Sequence, residues 1–81
     1  MTALYILDAE EFGPVADVAA TGPEVRERRV GHYRELSSDG SISIDRRATG
    51  VRHAVWYSAV AAIRDGQVVQ YDKDALRVAP R

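Results

Sequence analysis

The segment Val51–Ile63 constrains the fold of this chain more than any other. It holds the longest mostly apolar run, Ala54 to Ile63, and its apolar residues recur at every spacing instead of along one stripe. Such a segment is either a buried helix or a strand covered on both faces. Its alanines suit a helix, and Val51, Val55, Trp56, Tyr57 and Val60 suit a strand. The residues that follow favour the strand. If Asp65-Gly66 forms a two-residue turn, Arg64 pairs with Gln67, Ala62 with Val69 and Val60 with Tyr71. If Lys73-Asp74 turns next, Tyr71 meets Leu76 and Val69 meets Val78. One face then gathers Ala54, Trp56, Val60, Ala62, Val69, Tyr71, Leu76 and Val78, and this coherence predicts a three-stranded meander over residues 51–79.

Upstream, Ala3-Leu4-Tyr5-Ile6-Leu7 reads as a buried strand. Gly13-Pro14 starts a short helix, because proline suits the first helical turn, and Gly22-Pro23 closes it. Val15, Val18 and Ala19 share its inner face, with Asp17 pointing away. Residues 23–30 read as an extended segment leading into a strand, although the capping-box spacing of Thr21 and Glu24 leaves a helical turn open. His32–Ser37 and Ser41–Arg46 form a hairpin around Ser38-Asp39-Gly40, with Leu36 opposite Ile42 and Arg34 opposite Ile44. The expected architecture is α+β: a mainly antiparallel sheet of about five or six strands, ending in the meander, with one short helix.

At 81 residues, without cysteine, the chain is expected to be a single domain spanning residues 1–81. Packing alone must hold it, since neither disulfides nor cysteine-bound zinc are open to it. Nothing near the N-terminus reads as a leader, and no run approaches the roughly 18 residues of a membrane span, so the expectation is a cytoplasmic protein. The net charge of −1 conceals an asymmetry. The first part carries Asp8, Glu10, Glu11, Asp17 and Glu24 with no base, whereas residues 26–64 are rich in arginine. Opposite charges of this kind let the acidic front lie against the basic middle, within one chain or across two.

Candidate chemistry is sparse. His53, Tyr57 and Asp45 are the only plausible catalytic set, and they match no nucleophile, metal or cofactor motif. No metal and no cofactor are therefore expected. Arg46, Arg47 and Arg52 surround the Thr49-Gly50 turn, where guanidinium groups could hold an anion; with His53 and Tyr57 they form the candidate binding set. Arginines interleaved with Tyr33 and Trp56 resemble what single-strand binding uses, but a pI near 6.1 argues against nucleic acid as the partner. Trp56 is expected in the core and Tyr57 on the opposite face.

A sheet with two apolar faces needs two covers, and one short helix supplies only one. The leading expectation is thus a small non-enzymatic interaction or accessory protein, acting as a homodimer or as a subunit on a protein partner. A small enzyme or ligand-binding barrel with an interface pocket around His53 and Tyr57 is the alternative. An arginine-cluster binder of nucleic acid or anions is the third.

Overall fold

The computed structural model describes residues 1–81. The apolar run at the N-terminus forms β1 (Thr2–Leu7), the centre of a four-stranded antiparallel sheet. Its neighbours are β3 (Tyr33–Ser38) on one side and β5 (Val60–Asp65) on the other, and β2 (Arg26–Val30) lies outside β3. A second, three-stranded antiparallel sheet contains β4 (Ile42–Asp45), β7 (Ala75–Ala79) and β6 (Gln67–Tyr71), in that order. Alternation along the strands sends Leu4, Ile6 and Leu36 of the first sheet and Ile42, Ile44, Leu76 and Val78 of the second into one core. The fold is α+β with seven strands, antiparallel throughout.

Three helices close that core. A 3-10 turn at Glu10–Phe12 leads into α1 (Gly13–Ala20), with a proline in its first turn as the sequence suggests. Val15, Ala16 and Ala19 are buried, and Asp17 faces solvent. Helix α2 (Arg46–Thr49) is one turn, capped by the Asp45 carboxylate and ended by left-handed Gly50. Helix α3 (His53–Ser58) buries Trp56.

The decisive segment is therefore neither a single strand nor a single helix. It divides at Ala59: α3 precedes that residue and β5 follows it. The predicted meander is corrected accordingly. Strand β5 pairs with β1, so none of the expected β5–β6 partners meet. Its second half holds, with Tyr71 opposite Leu76, although an irregularity between Val68 and Gln70 places Val68 opposite Val78 instead of Val69. Gly66 explains the change of sheet. At φ +107° it takes a backbone conformation few side chains tolerate, and a Cβ there would lie 2.8 Å from the Ala79 carbonyl. The Asp65-Gly66 signal is a corner between sheets, not a hairpin turn.

The expected hairpin around Ser38-Asp39-Gly40 is corrected in the same way. Strand β3 stays in the first sheet and β4 begins the second, so Leu36, Ile42 and Ile44 share the core without pairing. The partner of β3 is β2, joined to it by the turn at Gly31-His32, with Gly31 at φ +60°. The segment 23–30 divides: Arg26–Val30 is extended as β2, and the residues before it form a turn. Val25 N–H donates to the Gly22 carbonyl at 3.3 Å, and Glu24 adopts φ +65°, which makes Gly22–Val25 a turn with proline at its second position.

The acidic front does lie against the basic middle, within one chain. Arg34 on β3 donates to Glu27 on β2 at 2.8 and 2.9 Å and to Asp17 on α1 at 2.7 Å. Asp8 pairs with Arg29. These contacts clip α1 and β2 onto the sheet, and they hold the Arg34 guanidinium further into its charged form, Glu27 contributing most. No helix is long and apolar enough to cross a membrane.

Candidate interaction surface

One face of the four-stranded sheet meets the core; helices leave the other open. Alternation dictates what that open face carries: Arg26, Arg28 and Val30 from β2, Tyr33, Glu35 and Ser37 from β3, and Tyr5 from β1. Strand β5 contributes by breaking its own alternation. Opposite β1, Val60, Ala62, Ile63 and Asp65 find partners, and Ala61 and Arg64 are left over. Each leftover residue marks a register shift: Ala61 joins its neighbour Ala62 on the open face, and Arg64, two past Ala62, keeps that face while Asp65 takes the next pairing. Both side chains line recesses on the open face.

Two recesses lie side by side there. The first, about 300 Å³, is lined only by Tyr5, Val30, Tyr33, Ala61 and Ala62. The Tyr5 and Tyr33 rings meet edge to face with centroids 6.2 Å apart, so its aromatic walls brace each other. The second, about 440 Å³, is polar and contains Arg26, Arg28, Glu35, Ser37 and Arg64. Tyr5, which lines the first, is the cross-strand neighbour of Glu35, which lines the second.

Glu35 is the electrostatic centre of the face. It is only 3 % exposed. Arg28 Nε donates to Oε1 at 2.8 Å, and Arg64 Nη1 lies 3.3 Å from Oε2 without hydrogen-bond alignment, so Oε2 keeps an open acceptor. The Tyr5 hydroxyl does most to hold this carboxyl below its ordinary pKa; burial opposes that, and Arg28 and Arg64 add attraction. Glu35 is thus an anion that gathers two guanidinium groups, Arg28 and Arg64, while Arg26 beside them pairs with Asp39 at 3.6 Å.

The sequence-predicted site residues lie elsewhere, on α2 and α3. Asp45 caps α2 through the Arg47 N–H at 3.2 Å. Arg46 is tied to the Lys73 carbonyl and reaches the Val51 carbonyl at 3.4 Å, while Arg47 Nη2 stands 3.7 Å from Asp74. Arg52 precedes α3, its carbonyl accepting from Trp56 N–H at 2.9 Å, and His53 begins the helix exposed. Tyr57 is 50 % exposed and leans on Tyr71, ring centroids 5.3 Å apart. Asp45, Arg46 and Arg47 are therefore brought together at one helix start, whereas Arg52, His53 and Tyr57 follow on the next helix, and none of the six lines a recess. No group of three or more His, Asp or Glu side chains is arranged to hold a metal ion.

The residues of the open face were missed because they were read as charges, not as a pattern. Arg26, Arg28 and Val30 alternate on β2 as Tyr33, Glu35 and Ser37 do on β3, and Gly31-His32 between them is a hairpin signal.

No family model and no curated protein matches the chain in sequence. Its fold has a counterpart. A chain of the solved phenol hydroxylase–regulatory protein complex superposes with a TM-score of 0.82, at 13 % identity, over 99 % of this chain and 98 % of that one. The two molecules therefore share architecture from end to end, and the neighbour is a regulatory protein. Likeness at this identity fixes the fold; it carries no residue of the neighbour's site across.

Proposed function

We propose that this chain is a non-catalytic accessory protein of the cytoplasm that regulates a hydroxylase-type enzyme by binding it. End-to-end likeness to the regulatory protein of a phenol hydroxylase complex carries the reading. Its chemistry agrees. The two recesses of the open face hold no histidine, and their buried carboxylate, Glu35, is held ionised between arginines, where it cannot serve as a neutral-pH acid. A small protein without a reacting group acts on an enzyme through differential binding to its states.

Pairing with a second copy is the other form this reading takes. Tyr57, Val68 and Val69 are half exposed, and apolar groups of that size favour contact with protein. Arg52, His53 and Tyr57 belong to that secondary region, and Asp45, Arg46 and Arg47 flank it at α2.

The test is reconstitution. The hydroxylase component from the same source is assayed on phenol with increasing amounts of this chain. Turnover is expected to change and to saturate as the chain reaches one copy per active site, with the two proteins co-eluting on size exclusion. Unchanged turnover together with independent elution at micromolar concentration overturns the proposal.

A further inference from the structure

The open sheet face repeats one step on three strands. Val30 and Arg28 on β2, Tyr33 and Glu35 on β3, and Ala62 and Arg64 on β5 each place an apolar residue two positions from a charged one. Residues two apart on a strand sit roughly 6–7 Å apart. Across β2 and β3 the face is thereby divided into an apolar end and a charged end; β5 sits one step along, with Ala62 opposite Tyr5 in the row of Glu35 and Arg28, so Ala61 and Ala62 complete the apolar recess and Arg64 the charged one. Nothing in the core requires this, since none of these side chains belongs to the core cluster.

We infer that this face docks a protein segment presenting an apolar side chain and, one such step away, a carboxylate. The inference rests on the accessory-protein reading and names the chemistry of its partner. Charge decides the occupant. Arg28 and Arg64 exceed Glu35 in the charged recess; Arg26 on its rim is paired with Asp39 at 3.6 Å, and Glu27 is held by Arg34. A carboxylate entering between Arg28 and Arg64 satisfies guanidinium groups that Glu35 occupies only in part, Arg64 being near Oε2 without a bond to it. A second copy of the same face would oppose arginine to arginine. A phosphate backbone would leave the neighbouring apolar recess empty. That apolar recess, about 300 Å³ and walled by Tyr5 and Tyr33, takes the apolar anchor.

Three blocked pentapeptides serve as probes: Ac-Ala-Phe-Ala-Glu-Ala-NH₂, its Glu→Gln form and its Phe→Ala form. Titrated into isotopically labelled protein, the first is expected to move the amide signals of Val30, Tyr33, Ala62 and Arg64 and the Arg28 Nε–H. Both altered peptides should bind at least tenfold more weakly. Ala62→Glu, at an exposed position, should weaken the first peptide at least tenfold while the protein still unfolds cooperatively. Equal binding of the three peptides, signals moving elsewhere, or tighter binding of an oligothymidylate than of the Glu peptide overturns the inference. The hydroxylase complex separates this failure from that of the parent reading. If wild type and Ala62→Glu both form it with equal affinity, the surface is wrong and the accessory function stands. Peptide recognition without any complex sinks the hydroxylase reading and leaves the surface assigned.

Discussion

Trp56 and Tyr71 hold each other twice. The Tyr71 hydroxyl donates to the Trp56 carbonyl at 2.8 Å, and the two rings meet edge to face with centroids 5.8 Å apart. Trp56 Nε1 adds a bond to the Asp72 carbonyl at 2.7 Å. A six-residue helix is too short to persist alone, so this knot is what fixes α3 against β6 and the turn beyond it.

Trp56→Ala is accordingly expected to cost about 3–5 kcal/mol, as deletion of a large core aromatic does. Tyr71→Phe keeps the ring contact and loses one hydrogen bond, for about 0.5–1.5 kcal/mol. Urea unfolding measures both. A Trp56→Ala protein with wild-type stability would show that the indole is not part of the core.

Gly66→Ala should be destabilising by at least about 1–3 kcal/mol, the cost of holding a side chain in a sparsely populated backbone region. The added methyl also meets the Ala79 carbonyl, which belongs to a paired strand and cannot withdraw freely. Gly13→Ala is the control, because a Cβ there meets nothing within 4 Å. Equal midpoints for the two variants in chemical denaturation would refute the corner.

Arg34→Lys tests the clip between α1, β2 and β3. A lysine keeps the charge but cannot make the forked pair with Glu27 while also reaching Asp17. A loss of about 1–2 kcal/mol is expected, on the scale of bonds to charged partners. Hydrogen exchange should show α1 amides opening before the central strands. Unchanged exchange in α1 would assign its attachment to the apolar face alone.

Glu35 predicts an acid-side loss of stability with a definite sign. Its folded pKa lies below the unfolded carboxyl's, so the folded state binds fewer protons. The contribution is complete above the unfolded value, near 4.3, and is lost as pH falls through the lower folded value. Glu35→Gln should remove that part of the pH dependence and lower stability near neutrality, because Arg28 and Arg64 are left without their anion. Thermal melts between pH 7 and 3 give the comparison. Parallel curves for wild type and variant would mean that Glu35 is not the group responsible.

Local chemistry was legible in the sequence. The β1 strand, the proline-started α1 with Val15 and Ala19 inward, the Lys73-Asp74 turn that sets Tyr71 opposite Leu76, the burial of Trp56 and the antiparallel α+β class all follow from periodicity and turn residues. Pattern also placed Leu36, Ile42, Ile44, Leu76 and Val78 on inward faces, because inward alternation is a property of each strand alone.

Which strand lies beside which was decided only by the tertiary structure. Asp65-Gly66 and Ser38-Asp39-Gly40 are compatible with hairpins, yet the chain crosses between sheets at both, since two sheets enclose one core more completely than a single sheet can. Val51–Ile63 divides at Ala59 for the same reason: Trp56 reaches the core from a helix, and β5 is drawn away to pair with β1. The open face lay further from view. Glu35 becomes a buried anion only when Arg28 from β2, Tyr5 from β1 and Arg64 from β5 converge on it, and β1 and β5 are distant from β3 in sequence. Propensity and alternation act within a segment. Strand order, bulges and the electrostatics they create depend on long-range pairing, which the competition for burial settles.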